Sequence, residues 1–162
     1  MNNTERALPA AERRRMTSRE LVIWRSLIDT TTELHRRLAA QLVADSGLSP
    51  GDYAVLLALS EAPGRRLRSS ELAAAIAWER SRLSHHLGRM EKRGLIERVE
   101  CVTDSRGAEV VLIEEGARIF RAATAPHARA VKEHFGDALT PGQFEALDDI
   151  LHALNHHLEA TR

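Results

Sequence analysis

Apolar residues recur every three or four positions along most of the chain, which predicts a mainly helical protein. The sequence TSRE at positions 17–20 has the spacing of a helix capping box, and a narrow apolar seam follows it to about Asp45. A second narrow seam with the same spacing runs from Phe144 to Leu158. A long helix with a narrow apolar seam needs a partner helix, and the economical partner is a second copy of the chain.

A core helix is predicted directly after the first long helix, which Gly47 ends. Ser49 followed by Pro50 is typical of a helix N-terminus. The residues that follow, in AVLLALSEA, are apolar on nearly all sides of a helix, so we expect this helix in the middle of the core. The next segment, PGRRLRS, is interpreted as a turn and a loop.

Two shorter helices are expected after that loop. Ser69 or Ser70 is predicted to cap the first of them, which contains SELAAAIAW. The second is predicted from about Ser81 to Arg93, and Gly94 ends it.

Beyond Gly94 the pattern changes from helical to extended. Two runs rich in β-branched residues, LIERVECV and AEVVLI, lie on either side of TDSRG, which predicts a β-hairpin. A fifth helix is expected from there to about Phe135, and Pro126 offers a place for it to bend. TPGQ at positions 140–143 has the spacing of another capping box and predicts the start of the last helix.

This order of elements predicts a mainly α protein with a small β-hairpin wing. The architecture is that of a winged helix-turn-helix with N- and C-terminal dimerisation helices. We expect the winged helix-turn-helix domain at residues 48–114 and the dimerisation helices at 17–47 and 115–162. The polar, Arg-rich residues 1–16 are interpreted as a flexible arm.

Composition narrows the classes of function. The chain of 162 residues has one cysteine, which excludes an internal disulfide framework. Its longest apolar run, Leu72–Trp78, is far too short to span a bilayer, and the N-terminus has no signal-peptide pattern, so we expect a cytoplasmic protein. The net charge is zero, but ten basic and six acidic residues lie between Arg65 and Arg106. An excess of basic residues in the middle of a chain is typical of a protein that binds a polyanion through one region.

The fourth predicted helix has two faces of opposite character. Leu83, Leu87 and Met90 form an apolar stripe that must face the core. The other face carries short polar and basic side chains, which suits the major groove of DNA, a groove wide enough to admit one helix. We expect base-edge contacts from the first four of these residues and phosphate contacts from the last two: Ser81, Arg82, Ser84, His85, Arg89 and Lys92.

Two further places are candidates for DNA contact. Ser69 and Ser70 begin a helix, where free backbone N–H groups favour a phosphate, although capping alone explains both serines equally well. Arg106 at the tip of the hairpin could enter the minor groove, with Asp104 orienting its guanidinium. A solvated turn is the alternative for this tip, and composition alone favours that alternative.

The stretch LAAAIAWERSRLSHHLGRMEKRGLIER, followed by TDSRG and VVLIEEG, resembles the MarR family of bacterial transcription regulators. The resemblance covers about residues 18–157 and implies a homodimer, built from the terminal helices, that binds double-stranded DNA at a palindromic operator and represses transcription. It also implies that the helix at 81–93 is the recognition helix, that Arg106 enters the minor groove and that Asp104 supports it. Ile113 in LIEEG stands where family members often have Thr, so a side-chain cap before the fifth helix is missing.

The same resemblance implies a small phenolic or aromatic effector, bound between the dimerisation helices and the winged domain. The candidate lining residues are Trp24, His35, Tyr53 and Trp78, although each is equally well explained as a core residue. Such an effector would act by changing the spacing of the two recognition helices.

The histidines and the cysteine are explained without a metal-binding, redox or catalytic role. His152 and His156 have the i, i+4 spacing of a zinc pair, but no third ligand follows at a motif spacing, so we expect neither a metal nor a cofactor. Cys101 is interpreted as a semi-buried strand residue rather than a thiol switch. No catalytic constellation is apparent, so we expect no enzyme. The remaining alternative is a winged-helix protein-interaction module without specific DNA binding.

Overall fold

The computed structural model describes residues 15–100 and 108–161. The chain divides into two compact units, Met1–His35 and Arg36–Arg162. None of the helices in the described ranges is long and apolar enough to cross a membrane. The described elements are α1 (Ser18–Ser46), α2 (Pro50–Glu61), β1 (Arg66–Arg68), α3 (Ser69–Ala75), α4 (Arg80–Lys92), β2 (Ile96–Glu100), β3 (Ala108–Leu112), α5 (Glu114–His134) and α6 (Pro141–Ala160), with short 3-10 turns at Pro63–Arg65 and Gly136–Ala138.

The long helices α1 and α6 begin at the capping boxes that the sequence predicts. Before α1, the Thr17 N–H donates to Glu20 Oε2 at 2.7 Å, and the Glu20 N–H donates back to Thr17 Oγ1 at 3.2 Å. Before α6, the Thr140 N–H donates to Gln143 Oε1 at 2.9 Å. Gly47, with φ of +68°, follows the last residue of α1, so the predicted end of this helix is also confirmed.

The strand β1 corrects the interpretation of PGRRLRS as a turn and a loop. β1 pairs antiparallel with β3, with Leu67 opposite Val110, and β3 also pairs with β2, so the strand order is β1-β3-β2. A three-residue strand with one apolar residue shows no periodicity of its own, and its partner strand lies beyond α3 and α4 in the sequence. The predicted hairpin is confirmed, with its strands at β2 and β3.

The start of α3 also differs from the prediction, because neither Ser69 nor Ser70 is its N-cap. Arg68 holds that position, and its backbone N–H donates to Glu71 Oε2 at 3.0 Å. The Ser69 hydroxyl donates instead to the carbonyl oxygen of Ala108 at 2.9 Å. Ser69 therefore ties the start of α3 to β3, a contact that no local pattern could predict.

One hydrophobic core fills the second unit. It is built from buried side chains of α2, α3, α4, the sheet, α5 and the C-terminal part of α1. In α2, Val55, Leu56 and Leu59 are fully buried, but Leu57 is 38% exposed. The expectation that α2 is buried on nearly all sides is therefore wrong for one face, because the neighbouring elements do not cover it.

The first turn of α5 packs directly against the backbone before β2. A Cβ atom on Gly116 would lie 1.9 Å from the carbonyl oxygen of Leu95, so only glycine fits at this position. This close approach fixes the base of the wing against α5. From there α5 runs as one helix through Pro126 to His134.

Large apolar side chains remain exposed on two helices. In the first unit, the residues of α1 that are 43–66% exposed are Leu21, Val22, Ile23, Trp24, Leu27 and Ile28. In the second unit, α6 has no buried residue, and the residues that are 46–61% exposed are Ile150, Leu151, Leu154 and Leu158. Apolar surface of this kind is typical of an interface with another chain.

Candidate nucleic-acid interface

The buried stripe of α4 is the one that the sequence predicts. Leu83, Leu87 and Met90 are each at most 1% exposed and lie in the core. The six polar and basic side chains that the sequence assigns to the opposite face are all exposed: Ser81, Arg82, Ser84, His85, Arg89 and Lys92. These six residues are called the α4 outer face below.

A tight turn connects α3 to α4. Ala77 has φ of +52°, in the left-handed region, and the Trp78 N–H donates to the carbonyl oxygen of Ala73 at 2.9 Å. Glu79 is the N-cap residue, and α4 begins at Arg80. The two helices pack together and form the helix-turn-helix that the sequence predicts.

The charge of the α4 outer face is positive because the acidic residue within α4, Glu91, is paired elsewhere. The Arg98 guanidinium donates to Glu91 Oε2 at 2.6 and 2.9 Å, and the Arg98 backbone N–H donates to Oε1 at 3.1 Å. These hydrogen bonds from Arg98 lower the pKa of Glu91. The Glu91 carboxylate is thus compensated by Arg98 of β2 and does not neutralise the basic residues of the outer face.

A buried polar cluster, which the sequence analysis missed, joins α4 to α2. Asp52 is 2% exposed, its Oδ1 lies 3.0 Å from His86 Nε2, and its Oδ2 accepts a hydrogen bond from Arg93 Nη1 at 2.7 Å. Arg93 Nη2 also donates to the carbonyl oxygen of Gly47 at 3.0 Å. Asp52, His86 and Arg93 are called the Asp52 cluster below.

The same carboxylate caps α2. The Ser49 N–H donates to Asp52 Oδ2 at 2.9 Å, and the Asp52 N–H donates to Ser49 Oγ at 3.1 Å. The predicted N-cap is therefore confirmed. The spacing of these two residues is visible in the sequence, but the pairing of Asp52 with His86 and Arg93 depends on tertiary contacts and left no local signal.

The surroundings of the Asp52 cluster determine the protonation states of Asp52 and His86. Burial raises the pKa of Asp52, but hydrogen bonds from Arg93 and Ser49 outweigh it and keep that pKa below its ordinary value. Burial lowers the pKa of His86, and the charges of Arg89 and Arg93 lower it further against the opposing charge of Asp52. At neutral pH, Asp52 is ionised and His86 is uncharged.

His86 is also held in one tautomer. Arg89 Nη2 lies 2.9 Å from His86 Nδ1, and because a guanidinium only donates, Nδ1 must accept. The ring proton is then on Nε2, which faces Asp52 Oδ1. Arg89, a residue of the α4 outer face, is in this way connected to the Asp52 cluster.

Arg82 is held by an aromatic ring. Its Cζ atom lies 4.0 Å from the centre of the Trp78 ring. Trp78 in turn packs edge-on against His86, with ring centres 5.2 Å apart and an interplanar angle of 84°. Trp78, a candidate effector-lining residue, therefore lies beside the α4 outer face.

The remaining predicted DNA-contact residues are placed only in part. Ser70 is exposed at the start of α3, and the Ser69 hydroxyl is engaged with β3. Asp104 and Arg106 lie outside the described residues, as does Cys101.

The other candidate effector-lining residues have different surroundings. In the first unit, Trp24 is 55% exposed, and His35 hydrogen-bonds within α1. In the second unit, Tyr53 packs against Phe120 and His127, with ring centres 5.1 and 4.7 Å away. His127 Nδ1 is buried and has no hydrogen-bond partner among the described residues.

The histidine pair of α6 is not part of a larger cluster in the described chain. His152 Nδ1 lies 3.7 Å from Asp148 Oδ1, one turn earlier. Across residues 15–100 and 108–161, no three His, Cys, Asp or Glu side chains are grouped so that they could hold a metal ion.

Comparisons with known proteins agree on one family. A model of the MarR family matches residues 46–107. A MarR family transcriptional regulator from Streptomyces coelicolor, solved in complex with DNA, is 39% identical over 90% of this chain and 91% of that one, with a TM-score of 0.82. AbsC, a MarR family transcriptional regulator from the same organism, is 36% identical over 91% of this chain and 99% of that one, with a TM-score of 0.81.

A more distant structure shares the fold. An organohalide-sensing transcriptional regulator, solved with 2,4-dichlorophenol bound, is 22% identical over 93% of this chain and 89% of that one, with a TM-score of 0.76. None of the curated proteins compared with the sequence matches it.

Proposed function

Since this chain belongs to the MarR family of transcriptional regulators, we propose that it is a homodimeric repressor that binds a palindromic operator. The observation that carries the proposal is the α4 outer face, which is exposed, basic and rich in hydrogen-bond donors. We assign the chain no catalytic activity.

We propose that α4 enters the major groove and that residues in its N-terminal half contact base edges. Arg82 can donate two hydrogen bonds to O6 and N7 of a guanine, which makes it the main carrier of specificity. The side chains of Ser81, Ser84 and His85 form no hydrogen bond to another described residue, so their polar atoms are free to contact DNA.

Further along α4, the proposed role changes from base contact to phosphate contact. Arg89 and Lys92 are exposed near the C-terminal end of the helix, and we assign them to phosphate contacts that position α4. Ser69 and Ser70 are proposed to contact a phosphate at the start of α3. Because the Ser69 hydroxyl is already engaged with β3, Ser69 would contribute through its backbone N–H.

The wing is assigned a role through the family. In TDSRG, Arg106 is proposed to enter the minor groove, and Asp104 two residues earlier is proposed to orient its guanidinium. Base contacts by α4 and minor-groove contacts by the wing would together cover one half-site of the operator.

The domain organisation follows the same proposal. Residues 48–114 are assigned to DNA binding, and residues 17–47 and 115–162 are assigned to dimerisation. Support for dimerisation comes from α6, whose apolar side chains the single chain leaves exposed. A twofold dimer presents two copies of α4, and a palindromic operator with half-sites about one helical turn apart matches that symmetry.

We also propose that a small aromatic ligand relieves repression. Trp24, His35, Tyr53 and Trp78 stay the candidate lining residues. Tyr53 has the strongest support because it packs beside His127, whose buried Nδ1 atom lacks a partner among the described residues and could bind a phenolic hydroxyl.

Fluorescence anisotropy tests the proposal directly. The protein is titrated onto labelled duplex DNA from the region upstream of its own gene and onto a scrambled duplex, at about 50 and about 200 mM salt. We expect tighter binding to the upstream DNA and a steep loss with salt, because phosphate contacts release counterions. Arg89→Ala and Lys92→Ala should each reduce the slope of log K against log salt by about 1.

Arg118→Ala is the charge-matched control. Arg118 is exposed on α5, pairs with Glu115 at 2.6 Å and is not part of the α4 outer face, so this variant should keep the parental slope. Equal, weak binding of both duplexes, or equal slopes for all variants, would contradict the proposal and favour a protein-interaction module.

A further inference from the structure

The side chain with the greatest capacity to read a base is not free in the structure. The Arg82 guanidinium lies over the Trp78 ring, with 4.0 Å between Cζ and the ring centre. A cation–π contact uses the face of the ring and consumes no N–H donor. The five N–H groups of Arg82 therefore remain available, while the long side chain is restricted to one region.

Trp78 is itself held from several sides. Its backbone N–H donates to the carbonyl oxygen of Ala73 at 2.9 Å, and its ring packs edge-on against His86. A Cβ atom on Gly51 would lie 2.7 Å from the Trp78 Cη2 atom, so the indole fits closely against the first turn of α2. The platform beneath Arg82 is thus fixed by α2, α3 and α4 together.

The support continues into the core. His86 Nε2 lies 3.0 Å from Asp52 Oδ1, and Asp52 is anchored by Arg93 at 2.7 Å and by the N-cap of α2. A chain of contacts therefore leads from a capped helix end, through a buried histidine and an indole, to one exposed arginine.

We propose that Trp78 is a positioning residue that holds Arg82 in place before DNA arrives and thereby strengthens its selection of a guanine. This inference rests on the proposed function, since it assigns Arg82 a base-reading role. The physical reason is that an arginine already confined to one region loses less rotamer entropy when it forms two hydrogen bonds to a base edge. Trp78 acts only through Arg82 and need not touch DNA.

A double-mutant cycle tests the coupling. The four proteins are the parent, Trp78→Leu, Arg82→Ala and the double variant, and the probe is a duplex that the parent selects from a random-sequence pool. We expect Trp78→Leu to weaken binding by about two- to fivefold in the parent and to have no further effect when Arg82 is absent. An equal loss in both backgrounds would mean that Trp78 acts on the fold alone, and would overturn the proposal.

A milder variant guards against misfolding. Trp78→Phe keeps an aromatic face with a weaker attraction for cations, so its affinity should fall between the parent and Trp78→Leu. Thermal unfolding of each protein shows whether the fold is intact. If Trp78→Phe is folded and binds DNA as weakly as Trp78→Leu, that result would also contradict the cation–π contact.

A measurement on the free protein separates this inference from the proposed function. The Arg82 Nε–H resonance, assigned by its loss in Arg82→Ala, should lie upfield of the other arginines because of the indole ring current, and should move back in Trp78→Leu. The absence of this upfield shift would overturn the inference, whatever the result of the DNA-binding experiment. An upfield shift in a protein that shows no sequence-selective binding would refute the proposed function, and with it the reading role, while the contact itself would stand.

Discussion

At the scale of single residues, one carboxylate connects three parts of the second unit. Asp52 caps α2, pairs with Arg93 after α4, and faces His86 within α4. The sequence shows the cap, because Ser49 and Asp52 lie three positions apart. It does not show the two pairings, because both partners are far along the chain and only folding brings them to Asp52.

Replacing Asp52 should therefore cost more than removing a helix cap. We expect Asp52→Ala to lower the free energy of unfolding by about 2–3 kcal/mol, because it removes the cap and leaves Arg93 and His86 without their buried partner. Urea denaturation measures the difference. Ser49→Ala, which removes only the capping hydroxyl, should cost about 1 kcal/mol, and equal losses for the two variants would contradict the role given to the cluster.

The buried histidine makes stability depend on pH. Burial lowers the pKa of His86, with further lowering by Arg89 and Arg93 against the effect of Asp52. The folded state then binds fewer protons than the unfolded state, whose histidine has the ordinary pKa of 6.5. The free energy of unfolding should accordingly fall as the pH drops through 6.5 towards the lower pKa of folded His86.

Urea denaturation at about pH 7.5 and about pH 5.5 checks this sign. The stabilisation that accompanies the lowered pKa of Asp52 is fully present above the ordinary value of 3.8 and is lost only below it, outside this interval. We expect His86→Asn to reduce the difference between the two pH values, and exposed His85→Asn to keep it. A parent protein that is equally or more stable at the lower pH would contradict the uncharged state of His86.

At the scale of elements, the sequence predicts those parts that have local signals. The capping boxes of α1 and α6, the apolar stripe of α4 and the hairpin strands all follow from spacing within a few residues, and the structure has each of them. The strand β1 and the N-cap of α3 could not be predicted, because β1 exists only through its pairing with β3.

A close contact between elements gives a prediction of its own. Gly116→Ala should destabilise the fold by about 3 kcal/mol or more, because the added methyl group would overlap the Leu95 carbonyl oxygen and α5 would have to move away from the wing. Thermal and urea denaturation both report the change.

The same substitution elsewhere should have the opposite sign. Gly88 lies within α4 with nothing within 4 Å of an added Cβ, so Gly88→Ala should stabilise the protein by about 0.5–1 kcal/mol through helix propensity. If Gly116→Ala leaves the free energy of unfolding unchanged, α5 does not pack tightly against the Leu95 carbonyl oxygen, and the close contact would be contradicted.

At the scale of the whole molecule, the proposed assembly depends on α6. Its exposed leucines predict that the protein sediments with twice the mass of the chain, and that Leu151→Glu combined with Leu154→Glu shifts it to the monomer, because charges would be buried at the interface. His156→Glu, a change on the opposite face of the same helix from the apolar seam, should leave the dimer intact. A parent protein that sediments as a monomer would contradict a twofold repressor.

Helical periodicity predicts which residues of α4 are exposed, but it does not predict the contacts that depend on packing. The six residues of the α4 outer face came from the sequence, and the structure exposes all of them. The cation–π contact of Arg82 and the tautomer of His86 came only from the structure, since they depend on how α2, α3 and α4 meet.

The central claim is that the α4 outer face reads base pairs, and a binding profile across single base-pair substitutions tests it most directly. Parent, Arg82→Ala and the control Arg118→Ala are measured on the duplex that the parent selects and on every single substitution of it. We predict that Arg82→Ala removes about 1–3 kcal/mol of discrimination at one guanine in each half-site and leaves the other positions unchanged. A uniform loss at all positions, or a profile identical to that of the parent, would contradict base reading by α4.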